Sequence, residues 1–352
     1  MITPSFWLGK NVFLTGHTGF KGGWLSLWLA SMGARVTGYS LTPSSSPNFF
    51  EVAKVKSSIH RSLIDDVRNF DALHLAMAES KPDLVFHMAA QPLVRYSYVN
   101  PVETYSTNVM GTVNVLESIK RLGVKACVIV TSDKCYENKE HSRGYTENEP
   151  MGGYDPYSSS KACAELVTSA YRSSFFKGQH GPQVASVRAG NVIGGGDWAA
   201  DRLVPDVIHS FETSSQITLR NPTSVRPWQH VLEPLSGYLI LAEKLFEGHQ
   251  DFASAWNFGP SDEGTRTVAD VVDLLIKEWG ADLVWQKEVA DQPHEAKLLM
   301  LDCTKSSTLL NWRPKWRLEE CIQKIVEWHK AYQYSNMNEL SLSQIGQYIK
   351  TV

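Results

Sequence analysis

Tyr157 and Lys161 stand four residues apart in YSSSK, so on a helix both side chains leave the same face, one turn apart. An ammonium beside a phenol favours the phenolate and draws its ordinary pKa of about 10 toward working pH. Such a tyrosine is a candidate base. Ser132, Asp133 and Lys134 close the apolar run of VTSDKCY (130–136). The serine can hydrogen-bond a substrate hydroxyl beside Tyr157, and the next two residues add a carboxyl and an amine at the same edge. Ligands of open α/β sheets bind at strand ends of this kind. Each pattern also has a plainer reading: an exposed Tyr and Lys pair in one case, a strand end turning into solvent in the other.

A third group is the glycines of TGHTGFKGGW (15–24), Gly16, Gly19 and Gly22, which follow the apolar run NVFLT (11–15) and lead into a helix. A turn built this way lets a pyrophosphate approach the helix N-terminus and its unpaired N–H groups. Glycines at this spacing also occur in ordinary strand-to-helix turns.

These groups need a frame. Apolar runs alternate with amphipathic stretches: NVFLT, GGWLSLWLASMG (22–33), RVTGYSL (35–41), FDALHLAMAES (70–80), DLVFHMAA (83–90), TNVMGTVNVLESIKRLG (107–123) and ACVIVTSD (126–133). The rhythm predicts a Rossmann-like, doubly wound α/β domain whose parallel strands are apolar on both faces. A long helix is expected over 153–176 and another strand over 183–192. Past that point GGG (194–196), TSVRPWQHV (223–231) and VADQPHEAKLLMLD (289–302) break the rhythm, which predicts a smaller, discontinuous α/β substrate domain. The expected division is 1–191 with 229–260 for the sheet domain, and 192–228 with 261–352 for the smaller one.

Composition narrows the function classes. In 352 residues, 43% are hydrophobic and 20% charged, and a formal net charge of −3 gives no electrostatic reason to expect nucleic acid or an anionic membrane as partner. No segment approaches the ~20 apolar residues of a membrane span. The start MITPSFWLGKNVF lacks the features of a secretory leader. Cys127, Cys135, Cys163, Cys303 and Cys321 are odd in number and lack zinc or redox-pair spacing, so reduced thiols and a cytoplasmic protein are expected. His17, His87 and His294 have no paired ligand spacing and are read as structural; no metal is expected.

Together TGHTGFKG, HMAA (87–90), TNVMGTVNVLE (107–117), TSD and YSSSK resemble, in order and interval, the extended short-chain dehydrogenase/reductase family. RAGNVIGGGD (188–197), SVRPWQHV (224–231) and WNFG (256–259) carry the resemblance over nearly the whole chain, toward members acting on nucleotide-sugars. It implies NAD as cofactor. By that resemblance Gly16, Gly19, Phe20 and Gly22 line the cofactor pyrophosphate, Ser40 stands at the adenosine ribose and Asp66 contacts the adenine. Ala89, Ala90 and Asn108 pass along the cofactor. Tyr157 and Lys161 form the proton-relay pair, and Gln91, Asn191, Arg226 and Asn257 hold the sugar-nucleotide, Asn191 and Arg226 at its diphosphate. It also implies a homo-oligomer, a dimer or dimer of dimers, paired through helices at 101–121 and 156–177, where Val109, Val113, Leu116, Leu166 and Ala170 supply apolar positions.

Two departures from the family pattern matter. Ser40 replaces the aspartate usual in NAD users, and no arginine stands beside it for a 2′-phosphate, so NADP stays open. The strand-end motif is Ser132-Asp133-Lys134, where related nucleotide-sugar 4,6-dehydratases carry a hydroxyl residue, Asp and Glu. With RPWQH and DQPHE (291–295), this variant resembles the branch acting on CDP-glucose, which implies an early step toward dideoxysugars of surface polysaccharides. Asp133 is then the general acid. Lys134 is either the carbon 5 base, which requires it neutral against an ordinary pKa of about 10.4, or a charged stabiliser of the enolate. A nucleotide-sugar 4-epimerase and a non-catalytic NAD-sensing protein are the alternatives.

Overall fold

The computed structural model describes residues 1–178, 181–261, 264–288 and 298–351. DQPHE, with His294, lies outside the described residues. Seven parallel strands form one sheet: β1 (Asn11–Thr15), β2 (Arg35–Ser40), β3 (Arg61–Ile64), β4 (Leu84–His87), β5 (Ala126–Val130), β6 (Gln183–Arg188) and an edge strand Ala255–Asn257. Across the sheet the order is the edge strand, β6, β5, β4, β1, β2, β3. The direction of winding reverses between β1 and β4, and a crevice opens there above the C-terminal strand ends.

The strands read as unbroken apolar runs because both faces are covered. Alternate residues serve opposite cores. Val12 and Leu14 of β1, with Ala126, Val128 and Val130 of β5, join Trp24, Leu25 and Trp28 of the helix Phe20–Ser31 and Leu235 and Leu239 of the helix Leu232–Phe246. Phe13 and Ile129 point the other way, onto Leu73 of the helix Phe70–Ser80 and Val115, Leu116 and Ile119 of the helix Gly111–Leu122. Each fully buried Leu, Ile, Val or Phe contributes about 1.5–3 kcal/mol relative to exposure. β3 has no such signal: RSLI is half-exposed, and the apolar rhythm passes over it.

A third core holds the smaller unit. Val204, Val207 and Phe211 of the helix Leu203–Thr213 meet Val271 and Leu275 of the helix Val268–Trp279 and Ile322 and Ile325 of the helix Leu318–Ala331. Short strand pairs join it, Ile217–Leu219 with Trp285–Lys287 and Val225–Pro227 with Thr265–Thr267. The last helix, Met337–Lys350, packs instead on the sheet domain, with Met337, Ile345 and Tyr348 in the first core.

Candidate active site

A cleft with a cavity volume of about 670 Å³ runs over the strand ends, bounded on its far side by the smaller unit. At its floor Gly16 has φ +81°, and a Cβ there meets the backbone nitrogen of Ala89 at 2.7 Å. A Cβ on Gly22 falls 2.0 Å from the carbonyl oxygen of Gly16. Both glycines let β1, the loop after β4 and the helix Phe20–Ser31 close up. Gly19 differs: it has room for a methyl, and it caps that helix with no side-chain hydrogen bond. The helix N-terminus is thus presented to the cleft, as an anionic pyrophosphate requires. This cradle fits the dinucleotide that the resemblance implies, and Phe20, Ala89 and Ala90 line it.

The chemistry-bearing residues meet on the opposite wall. The helix Pro156–Ser174 starts where Asp155 accepts the Ser158 N–H at 2.9 Å, and it carries Tyr157 and Lys161 one turn apart. Ser132 caps the turn Asp133–Cys135 after β5, accepting the Lys134 N–H at 3.2 Å and donating to Asp133 Oδ1 at 3.0 Å. Ser132, Asp133, Lys134, Tyr157 and Lys161 all line the cleft. Asp133 is 2% exposed and its Oδ2 has no hydrogen-bond partner among the described residues. A Cβ on Gly190 falls 1.8 Å from that oxygen, so the residue beside the acid must be glycine.

Burial, more than Lys161, sets the electrostatics. It pushes the Tyr157 phenol up to about 12, with a hydrogen bond to Ser132 pulling the other way. The expected lowering of the phenol by Lys161 is therefore not found in the protein alone: burial also brings Lys161 itself down to about 8, and its ammonium donates to the Val130 carbonyl at 3.3 Å. Burial likewise raises the Asp133 carboxyl above the usual range, against the nearby Lys134 charge, as a general acid needs.

A buried network holds this wall in place. Arg188 and Glu165 pair at 2.9 Å, Thr131 donates to Glu165 at 2.5 Å and Ser186 at 2.7 Å. Arg188 also donates to the Tyr136 hydroxyl, which donates to Asn257 Oδ1, each at 2.7 Å. β5, β6 and the Tyr157 helix are tied together here. Removing one partner of such a pair leaves a buried charge and costs about 3–5 kcal/mol.

Several expected contacts lie elsewhere. Asn257 belongs to that network, donating to the Tyr145 and Asp302 carbonyls, and does not line the cleft. Gln91 is spent on Thr104 and Leu93. Asn108, in a π-helical turn Ser106–Met110, bonds Gln91 and Ser160, which in turn donates to the Tyr157 carbonyl, so it positions the Tyr157 helix behind the cleft wall. Asp66 lines the cleft with its carboxylate committed to Arg68 at 2.8 Å, and Ser40 lines it with its hydroxyl 2.8 Å from Thr18. Asn191, at φ +40°, and Arg226 line the far side.

His17 and His87 are neutral structural groups: His17 Nε2 lies 2.7 Å from Ser62 Oγ, His87 Nδ1 lies 2.8 Å from Thr15 Oγ1, and burial lowers both to about 4 and about 3. Sequence reasoning missed two cations. Lys21, inside the glycine motif itself, is brought down to about 7 by burial and by Arg202 and Lys161. Arg202 pairs with Asp197 at 2.8 Å, and nothing in the local sequence marks it.

The family model described as GDP-mannose 4,6 dehydratase matches residues 13–325, which take in the glycine cradle, the strand-end triplet and the Tyr157 helix. The chain belongs to this family. It is 57% identical over 337 residues, 94% of each chain, to CDP-glucose 4,6-dehydratase of Salmonella typhimurium. Among solved structures it resembles UDP-glucose 4-epimerase of Thermotoga maritima, with TM-score 0.81, 20% identity, and 92% of this chain and 99% of that one covered. It also resembles dTDP-glucose 4,6-dehydratase of Bacillus anthracis in complex with NAD, with TM-score 0.77, 22% identity, and 92% and 97% covered. The two structures bear on the fold. For a member of a 4,6-dehydratase family, Asp133 and Lys134 put an acid and an amine in the same wall as Tyr157.

Proposed function

We propose that the protein is an NAD-dependent hydro-lyase that converts CDP-glucose to CDP-4-dehydro-6-deoxyglucose. The observation that carries this reading is the buried Asp133 carboxyl, raised in pKa and with one oxygen unpaired among the described residues, in the cleft wall shared with Tyr157, Lys161 and Lys134. The 57% identical relative supports the choice of sugar-nucleotide. Bound NAD supplies a hydride acceptor at carbon 4 and a donor at carbon 6. Tyr157, as phenolate, takes the proton of the 4-hydroxyl, and Lys161 stabilises that phenolate. The ketone acidifies carbon 5, where Lys134 takes the proton or steadies the enolate. Asp133 gives a proton to the departing 6-hydroxyl. A 4-epimerase has no use for an acid and an amine beside carbons 5 and 6. Asp65 and Asp66 line the cleft near Ser40 and disfavour a 2′-phosphate, which supports NAD over NADP.

Arg226 and Asn191 grip the diphosphate from the far side in this reading. The five free thiols suit a reducing compartment, which supports a cytoplasmic location, and a homo-oligomer is part of the same reading. Purified protein given CDP-glucose and NAD is expected to form a 4-keto sugar, read as alkali-induced absorbance, with no net NADH. Stoichiometric NADH marks a simple dehydrogenase, CDP-galactose an epimerase, and an unchanged substrate a sensor.

A further inference from the structure

Past Val130 the chain leaves the sheet, so Ser132, Asp133 and Lys134 stand beyond the last ladder residue of β5. Tyr157 and Lys161 stand on a different element, the helix Pro156–Ser174. The dehydration needs both sets at one sugar, Tyr157 and Lys161 at carbon 4 and Asp133 and Lys134 at carbons 5 and 6. Some contact must fix the strand end against the helix.

Glu165 makes that contact. In YSSSKACAE (157–165) Tyr157, Lys161 and Glu165 recur every four residues, so the carboxylate lies on the same helix face, one turn beyond Lys161. Lys161 Nζ donates to the Val130 carbonyl at 3.3 Å, and the Thr131 hydroxyl donates to Glu165 Oε1 at 2.5 Å. Successive residues of the chain are thus held by successive turns of the helix. A hydroxyl has one proton, and the carboxylate takes it in preference to the Val187 carbonyl, 3.1 Å away. Glu165 has no freedom to follow Thr131 if the chain shifts: Arg188 donates to Oε1 at 3.0 Å and to Oε2 at 2.9 Å, and Ser186 donates to Oε2 at 2.7 Å. With Thr131 these bonds fill the lone pairs of the carboxylate. Glu165 is 3% and Thr131 6% exposed, so water does not compete for the bond between them.

Resting on the dehydratase reading, we propose that Thr131 and Glu165 are a positioning pair that keeps the elimination groups in register with the oxidation groups, so that the 4-keto sugar loses water where it is formed. No proton moves through either side chain. The Thr131 N–H, bonded to the Val187 carbonyl at 2.9 Å, ties the residue to β6, and its hydroxyl sets the distance to the helix.

Thr131→Val removes the hydroxyl and leaves Arg188 and Ser186 on Glu165, so no buried charge is orphaned. Asp133, just downstream, then shifts by a fraction of an ångström while Tyr157 and Lys161 keep their helix. A misplacement of ~1 Å costs about 10²-fold in rate, so elimination is expected to slow about tenfold, with cofactor reduction on mixing with CDP-glucose within about threefold of wild type. KM changes little. Enzyme-bound NADH therefore accumulates during steady turnover, read as absorbance per active site. Thr131→Ser keeps the hydroxyl and is expected to restore the wild-type ratio of the two rates. Ser186→Ala takes a bond from the same carboxylate in the interior of β6, and is expected to leave that ratio at the wild-type value even where it lowers Tm. The pair is overturned if Thr131→Val keeps the wild-type ratio, if both of its rates fall together, if Thr131→Ser does not restore the ratio, or if Ser186→Ala changes it as Thr131→Val does. Thr131→Ala carries the same test where the valine variant does not fold. A wild-type protein that forms no 4-keto sugar overturns the dehydratase reading instead.

Discussion

Lys134 shows how far a residue type carries an expectation. It lies just past the end of β5, in the cleft wall shared with Tyr157, and in the proposed mechanism either of its roles at carbon 5 acts after carbon 4 is oxidised. Lys134→Met is therefore expected to reduce cofactor on mixing with substrate and then eliminate water on the order of 10²–10⁴ more slowly, whereas Tyr157→Phe fails at the reduction. Rapid-mixing absorbance of NADH followed by product analysis separates the steps. Near-normal product from Lys134→Met assigns the carbon 5 proton to another base. The identities of Ser132, Asp133, Tyr157 and Lys161 were legible because their spacing is local to one turn or one helix. The sign of the Tyr157 shift was not, since burial is a property of everything packed around the phenol and outweighs Lys161.

At the scale of elements, the helix Met337–Lys350 is held by one buried carboxylate. Glu233, on the helix Leu232–Phe246, accepts from Tyr348 at 2.6 Å and from the Lys315 and Trp316 N–H groups at 3.1 and 2.8 Å. Burial raises its pKa to about 7 despite those bonds. A carboxyl raised on folding binds its proton more tightly when folded. Its contribution is therefore fully present below the unfolded value of about 4.3 and is lost as pH rises through about 7. Wild-type Tm is expected to decline from pH 5 to pH 8 relative to Glu233→Gln, as followed by calorimetry across that range. Two parallel Tm profiles would remove Glu233 from the account. The sequence reading names no element over this last helix, and an apolar stripe does not by itself name the surface it will meet. Edge strand β3 was unreadable for a related reason: half exposed, it carries no run or alternation.

For the whole molecule, the expected pairing of copies through helices at 101–121 and 156–177 can be sorted residue by residue. Leu116 is fully buried against the sheet and is unavailable to a partner, while Leu166 is 59% exposed and Ala170 is exposed. Val102 and Met110, on neighbouring turns, are exposed too. Four apolar side chains on adjacent elements make a surface suited to a second copy. Sedimentation at micromolar concentration is expected to show a dimer or larger, and Leu166→Glu to shift it toward monomer. A wild-type protein that sediments solely as a monomer contradicts the pairing.

By itself the sequence determined the sheet class, the glycine cradle and the acid, amine and phenol of the site, because these depend on period, spacing and side-chain chemistry within short stretches. Tertiary structure alone decided which residues face the cleft. Gln91, Asn108 and Asn257 look like ligand-binding amides in their motifs, yet buried amides must satisfy their own hydrogen bonds, and partners 2 to 121 residues away claimed them. Lys21 and Arg202 arrived in the cleft by the reverse route. Their positions follow from how the helix Phe20–Ser31 and the smaller unit close over the strand ends, and long-range packing of that kind leaves no period in the chain.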